Sequence, residues 1–311
     1  MARSFSTVSV APASVKELRE KSGAGMMDCK KALAESKGDV AKALDWLRAK
    51  GIARAASGAD RVALEGLIAL HLDPSAKRAT LVEVNSETDF VSRNEDFQAF
   101  CSLVARTAAK SGVADVAALM AQPCSSSATG ESTTVKDALT DVVIAIRENI
   151  VVRRVATITS ADGGVLAGYV HGRVGGASEG LQMGKTAAVV TLKPAAAAAS
   201  LSSVEGAGRR LAMHVVAAKP LYLSEAAVPP DVMAREEEIS RQQLDSSGQL
   251  QNKKPDVVAK IVRGKVLKRM SEVCLLSQPH VAEEGGPLVG KFLAAGGVAC
   301  DGFTRWALGG H

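Results

Sequence analysis

Thr88, Asp89, Phe90 and Val91 set an acid beside a large aromatic just where an alternating segment, Val82-Glu-Val-Asn85, gives out. Neither side chain suggests bond-making chemistry in that setting. The chain has only six Phe, two Tyr and two Trp. An aromatic at a strand end, flanked by Asp89, Arg93 and Asn94, is therefore a candidate for insertion into a partner. The alternative is that Phe90 packs under the helix that follows, as most large apolar side chains do.

Other reactive residues are scattered. His71, His171, His214, His280 and His311 show no ligand spacing, and no His-Glu-x-x-His pair occurs. Most carboxylates fall on charged helix faces. Gly184-Lys-Thr186 ends like a phosphate-binding loop, but Glu179 stands where that loop needs its first Gly. The residues after it, Ala-Ala-Val-Val-Thr-Leu, read as a strand rather than the helix whose N-terminus would hold phosphate. The five cysteines (29, 101, 124, 274 and 300) are odd in number and contain no Cys-x-x-Cys, which argues against a disulfide framework and a zinc site. A binding protein without metal, cofactor or catalytic residues is the expectation.

The elements that must position the Thr88–Val91 segment are readable from periodicity. Residues 15–52 read as three short helices: Val15 and Leu18 share a face, Asp28 caps the second and Asp39 the third, which carries Val40, Ala43, Leu44 and Leu47. Residues 53–62 have a linker's composition. Two strands, 66–72 and 79–85, flank the turn signal Asp73-Pro-Ser75. Helix is expected over 95–110, with Phe97, Phe100, Cys101 and Val104 on one face, and over 135–148. Between them, residues 121–134 form a Ser/Thr/Gly-rich surface loop. Strands follow at 149–159 and 165–170 around Asp162-Gly-Gly164.

A second unit starts near Gly180, with a strand at 187–192 and a helix at 203–218. Two charged helices, 231–251 and 256–275, are separated by Asn252-Lys-Lys-Pro255. The narrow stripe Val258, Ile261, Val262, Val266 and Met270 suits an antiparallel coiled-coil arm. Residues 277–310 read as Gly-rich strand and loop. The whole pattern is α+β with antiparallel sheets. Its expected units are a leader over 1–14, a helical domain over 15–53, and core subdomains over 54–179 and 180–311, the second carrying the hairpin 230–275.

Bulk properties narrow the class. A net charge of +5 over 311 residues is mild; it is compatible with an acidic partner and too weak to argue for nucleic acid. No apolar run approaches the roughly 20 residues that cross a bilayer. Residues 1–14 contain Arg3, five Ser/Thr and no acid, the character of an organellar presequence or of a frayed terminus.

Val82-Glu-Val-Asn-Ser-Glu-Thr-Asp-Phe-Val91 resembles the signature of elongation factor Ts, the nucleotide-exchange factor of the GTPase EF-Tu. So does Val15-Lys-Glu-Leu-Arg-Glu-Lys-Ser-Gly-Ala-Gly-Met-Met-Asp-Cys-Lys-Lys-Ala-Leu33. The two motifs stand in the family order and about the family distance apart. The resemblance implies a ubiquitin-associated-type helical bundle, two related sheet-bearing subdomains and a protruding coiled coil. It implies that Arg19, Met26 and Met27 contact the GTP-binding domain of EF-Tu. Thr88, Asp89, Phe90 and Val91 would press in beside the nucleotide and dislodge the partner's Mg²⁺. Tyr169-Val-His-Gly172 resembles a further family element, in which His171 touches the partner; Gly172–Gly184 is longer and more Gly-rich than that pattern. Arg209–Pro220 and Leu275–Pro279 extend the likeness, with His280 and Trp306 standing where other aromatics are usual. An intact coiled coil is a bacterial-like trait, whereas the leader and the Ser-rich insertion favour a mitochondrion, with bacterial cytoplasm or plastid as the alternatives. A ubiquitin-binding adaptor and an α/β metabolic enzyme are the competing classes. Gly-Ala-Gly-Met-Met is not the usual adaptor loop, and an adaptor leaves most of the chain unexplained.

Overall fold

The computed structural model describes residues 10–310 except 59–60, 74–76, 126–129, 131, 161–163, 179, 196–200 and 282–284, and leaves the side chains of 51–58, 176–178 and 201–203 undescribed. Most of the leader, Pro74-Ser75 and Asp162-Gly163 therefore lie outside the described residues.

Three helices open the chain: α1 (Pro12–Ser22), α2 (Met26–Glu35) and α3 (Val40–Gly58). Val15, Leu18, Cys29, Ala32, Leu33, Ala43 and Leu47 form their small shared core. Asp39 caps α3 as expected, accepting from the Lys42 amide at 3.1 Å. Two expectations fail here. Gly25, not Asp28, is the N-cap of α2, and Asp28 lies in its first turn. Residues 53–58 are no linker, because α3 runs on through them; the Ala-rich stretch Ala53-Arg-Ala-Ala56 has the propensity to propagate an established helix.

The hairpin β1 (Glu65–Asp73) and β2 (Arg78–Ser86) follows, paired antiparallel from Glu65↔Ser86 to Asp73↔Arg78. A 3₁₀ turn, Asp89–Arg93, leads into α4 (Glu95–Ser111), whose Phe97, Phe100, Cys101 and Val104 are all buried as their spacing required. A five-residue helix α5 (Val116–Met120), capped by Asp115, was too short to show a period. The expected loop over 121–134 contains a small ladder of β3 (Pro123–Ser125) and β4 (Ser132–Thr134), a correction at its two ends. Then come α6 (Val135–Ile146), β5 (Val151–Thr159), β6 (Val165–His171), β7 (Val174–Ser178), β8 (Leu181–Gly184) and β9 (Thr186–Pro194). The Gly-rich 172–184 stretch is thus a tight hairpin of β7 and β8. Gly180 at its turn has φ +72 and would press a methyl to 2.5 Å from the Leu72 carbonyl, so the turn demands Gly on both counts.

The chain ends with α7 (Leu201–Ala218), α8 (Pro230–Ser246), α9 (Pro255–Val273), α10 (Val289–Ala295) and β10 (Val298–Ala307). Helix α10 corrects the reading of 277–310 as strand and loop alone. Val289 and Leu293 are buried four apart, but Gly290 between them hid the helix. A methyl there would lie 3.1 Å from the Leu276 carbonyl, so close packing accounts for the Gly.

By compactness the chain forms two units, each drawn from separated stretches: residues 1–159, 170–187 and 306–311, and residues 160–169 and 188–305. The first holds a five-stranded sheet of order β5-β2-β1-β8-β7. Val82 and Val84 of β2 face a core with Phe97, Phe100, Val104 and Val143. The other face of β2 is buried too. Glu83, fully enclosed, binds Arg153 at 3.0 Å and Arg154 at 2.6 Å and accepts from the Gly309 amide at 3.1 Å. The alternating segment is therefore a central strand with an ion pair on its second face. In the second unit the sheet order is β10-β9-β6. Helices α8 and α9 share an apolar cluster that joins Leu244 to Val262, Val266 and Met270 of the expected stripe, with Val258 and Ile261 partly buried against it.

Candidate functional site

Strand β2 ends at Ser86, and the next five residues are held by hydrogen bonds rather than by a ladder. The Glu148 carboxylate, two residues past the end of α6, accepts from the Glu87 amide (3.1 Å), the Thr88 amide (2.9 Å) and the Thr88 hydroxyl (2.6 Å). In return the Glu87 carboxylate accepts from the Asn149 amide and from Arg61. Asn149 Nδ2 donates to the Arg61 carbonyl at 2.8 Å. On the far side, Ser92 Oγ donates to the Asp89 carbonyl at 2.6 Å and Gln98 Nε2 to the Ser92 carbonyl at 2.9 Å. Asn94 caps α4 through the Phe97 amide at 3.0 Å. Val91 drops into the core with 6% exposure.

Between these two anchors Phe90 stands 79% exposed, the most exposed large apolar side chain among the described residues. The packing alternative for Phe90 is thereby overturned: the ring covers no core and α4 has its own phenylalanines inside. Asp89 and Thr88 are exposed beside it, whereas Val91 is not. The signature segment thus divides by role, with Val91 as the root and the three residues before it as the tip.

The helical bundle presents a second apolar surface. Gly23 closes α1 with φ 64, its amide donating to the Arg19 carbonyl at 2.9 Å. Met26 and Met27 then open α2 with 53% and 72% exposure, so both face outward and neither caps the bundle core. Arg19 is exposed as well. Asp28, one residue on, pairs with Arg147 Nη2 at 2.7 Å and with Lys50 at 2.6 Å. Arg147 is the left-handed C-cap of α6, φ 70. Two consecutive residues after one helix thus hold two surfaces, Arg147 the Met26–Asp28 turn and Glu148 the Thr88–Phe90 tip.

His171 is exposed at the end of β6. The hairpin that follows approaches the tip: a methyl on Gly175 would fall 2.8 Å from Gln98 Oε1, the residue that ties down Ser92. Sequence reasoning missed Glu148, Asn149, Arg61 and Gln98. Their roles depend on partners between 6 and 88 residues away in the chain, and only the run Glu148-Asn149 before a strand hints at them. Lys185 of the discarded phosphate-loop likeness binds Glu65 at 3.0 Å, and Thr186 starts a strand, as the sequence indicated.

A fixed backbone presenting a bare aromatic, an adjoining carboxylate and a neighbouring pair of exposed methionines defines a protein-docking factor. Among the described residues no group of three or more His, Cys, Asp or Glu is placed to hold a metal. The family model "Elongation factor TS" matches residues 87–310, starting at the first residue after β2. Elongation factor Ts of Methylobacterium sp. strain 4-46 is 45% identical over 307 residues, covering 96% of this chain and 92% of its own. Elongation factor Ts of Sphingopyxis alaskensis is 43% identical over 305 residues, with the same two shares. That of Paramagnetospirillum magneticum is 42% identical over 301 residues, covering 95% and 90%. The chain belongs to the elongation factor Ts family.

Proposed function

We infer that this chain is a guanine-nucleotide exchange factor for EF-Tu, acting by binding alone, and that Asp89 and Phe90 are its working tip. The observation that carries the reading is the exposure of Phe90 between two anchored neighbours. Burying a phenyl ring yields about 1.5–3 kcal/mol, and the folded protein leaves that term uncollected until a partner supplies a slot. Phe90 enters the GTPase beside its nucleotide, Asp89 steadies it by polar contacts, and the partner's phosphate loop and Mg²⁺ ligands shift. Mg²⁺ neutralises phosphate charge, so its loss weakens the hold on GDP and lets GTP rebind. Release accelerates only because the tip binds the loosened state better than the GDP-bound one.

Arg19, Met26 and Met27 of the bundle, and His171, supply further contacts to the same GTPase. In this reading residues 15–53 serve as a docking module, residues 54–179 and 180–311 as core subdomains, and α8 with α9 as a protruding coiled-coil arm. Assembly with the partner is one-to-one or two-to-two. The test of the function is release of a fluorescent GDP from cognate EF-Tu under excess unlabelled nucleotide. Micromolar protein is expected to accelerate it; folded protein that leaves the rate unchanged refutes the reading.

The organellar setting rests on the composition of residues 1–14, the Ser-rich stretch 121–134 and the departure that follows Tyr169-Val-His-Gly172, whereas the relatives named above are bacterial. A reporter fused to residues 1–14 separates the two. Import into mitochondria supports the organellar reading, and a diffuse reporter supports the bacterial one.

A further inference from the structure

We propose that Glu148 is a positioning residue for the Phe90 tip, acting through Thr88; this rests on the exchange reading above. Three donors from two successive residues converge on its one carboxylate at 2.6–3.1 Å. Hydrogen bonds to an ionised acceptor are about twice as strong as neutral ones. The side chain is only part-buried and lies on no strand or helix, so its bonds serve neither a ladder nor a core. They fix the backbone two residues ahead of Phe90, where β2 has already ended at Ser86.

The second anchor, Ser92 Oγ to the Asp89 carbonyl with Val91 in the core, fixes the chain behind Phe90. With both in place the ring is presented in one orientation. With Glu148 gone the exit from β2 keeps Ser86 Oγ on the Thr88 carbonyl at 3.0 Å but loses all three bonds to the carboxylate. The segment then has to be ordered at the moment of docking, and that cost falls on affinity. Glu87 cannot replace Glu148, because its carboxylate is already engaged by Arg61 and the Asn149 amide.

The test combines a partner-free readout with epistasis. In the free protein, amide hydrogen exchange at Glu87 and Thr88 is expected to speed up about tenfold or more in Glu148→Ala, with α4 and β1 unchanged. Unchanged exchange at these two amides overturns the proposal, whether or not the protein acts on EF-Tu. In the GDP-release assay Glu148→Ala is expected to raise the half-saturating concentration about 5- to 10-fold, with the maximal rate near wild type. On a Phe90→Ala background the same change is expected to matter less than about twofold, since no tip remains to be positioned. An equal effect on both backgrounds means a merely structural residue and overturns the proposal. Glu148→Gln keeps the shape and can accept both amides, so it is expected to restore most of the affinity. If Glu148→Ala does not fold, Thr88→Val, which removes the hydroxyl bond to Glu148, carries the same comparison on the two backgrounds. An absence of acceleration by wild-type protein condemns the exchange reading and leaves the amide-exchange test to decide on Glu148.

Discussion

At the scale of single residues, Phe90 illustrates what composition can and cannot reveal. Its oddity is legible, because an aromatic beside Asp89 at the end of an alternating strand has no local reason to be there. Its exposure is not, since periodicity says which face a side chain takes only while the strand lasts. The brace formed by Glu148, Asn149 and Arg61 is illegible for a different reason: it joins residues far apart in sequence. Glu83 shows the same limit. It alternates with Val82 and Val84 yet is fully buried between Arg153 and Arg154, partners that the alternation does not reveal. Glu83→Ala leaves two guanidinium groups without their acid and is expected to cost about 3–5 kcal/mol in urea unfolding, as broken buried pairs do. His214 is legible as packing. Its Nδ1 accepts from the Val281 amide at 3.2 Å, so its Nε2 carries the proton toward Gln278 Oε1 at 2.9 Å. Burial holds it below its ordinary value near 6.5, against the raising effect of the Gln278 bond and with the neighbouring His280 adding to the depression. His71 is lowered in the same direction, first by burial and then by Arg106. The unfolded chain thus takes up protons that the folded one refuses. This contribution to stability is full above about pH 6.5 and falls as pH drops through it. The urea midpoint is expected to decline from about pH 7.5 to about pH 5.5, less steeply in His214→Gln; an undiminished slope removes His214 as its source.

At the scale of elements, long periodic segments were read correctly and short ones were not. Helix α4 repeats its apolar positions from Phe97 to Ala108, about three turns, and α9 keeps Val262, Val266 and Met270 four apart. By contrast α5, α10 and the β3–β4 ladder are each too short for a period to emerge. Glycine misleads in both directions inside helices, and space around it tells the cases apart. Gly264 in α9 is exposed and a methyl there meets nothing within 4 Å. Gly264→Ala is expected to stabilise by about 0.5–1 kcal/mol, from the entropy that glycine loses on folding. Gly208 in α7 would put a methyl 2.5 Å from Ala167 Cβ and 2.7 Å from Leu192 Cδ1. Overpacking of that kind costs about 1–3 kcal/mol and outweighs the gain in helix propensity. Gly208→Ala is therefore expected to lower the thermal midpoint while Gly264→Ala raises it, and opposite signs in one melting series check the argument.

At the scale of the whole molecule, the α+β class was legible from the order of helical and strand segments. The strand order β5-β2-β1-β8-β7 was not, because β7 and β8 begin only at Val174 and Leu181, far beyond the hairpin that ends at Ser86, and nothing local marks that pairing. What the assembled chain adds is a presented tip: Phe90 outward, its neighbours fixed, and Met26 and Met27 exposed on a bundle tied to the same α6 terminus. Truncating a buried anchor at a protein interface costs on the order of 2 kcal/mol or more, while removing an exposed side chain hardly disturbs its own fold. The most direct measurement is therefore Phe90→Ala in the GDP-release assay beside its thermal unfolding. The expected result is a half-saturating concentration raised about 10- to 100-fold with a melting temperature within about 2 °C of wild type. Exchange as fast as wild type at equal concentration, or a protein that melts far lower, would contradict the account of Phe90 as the exchange tip.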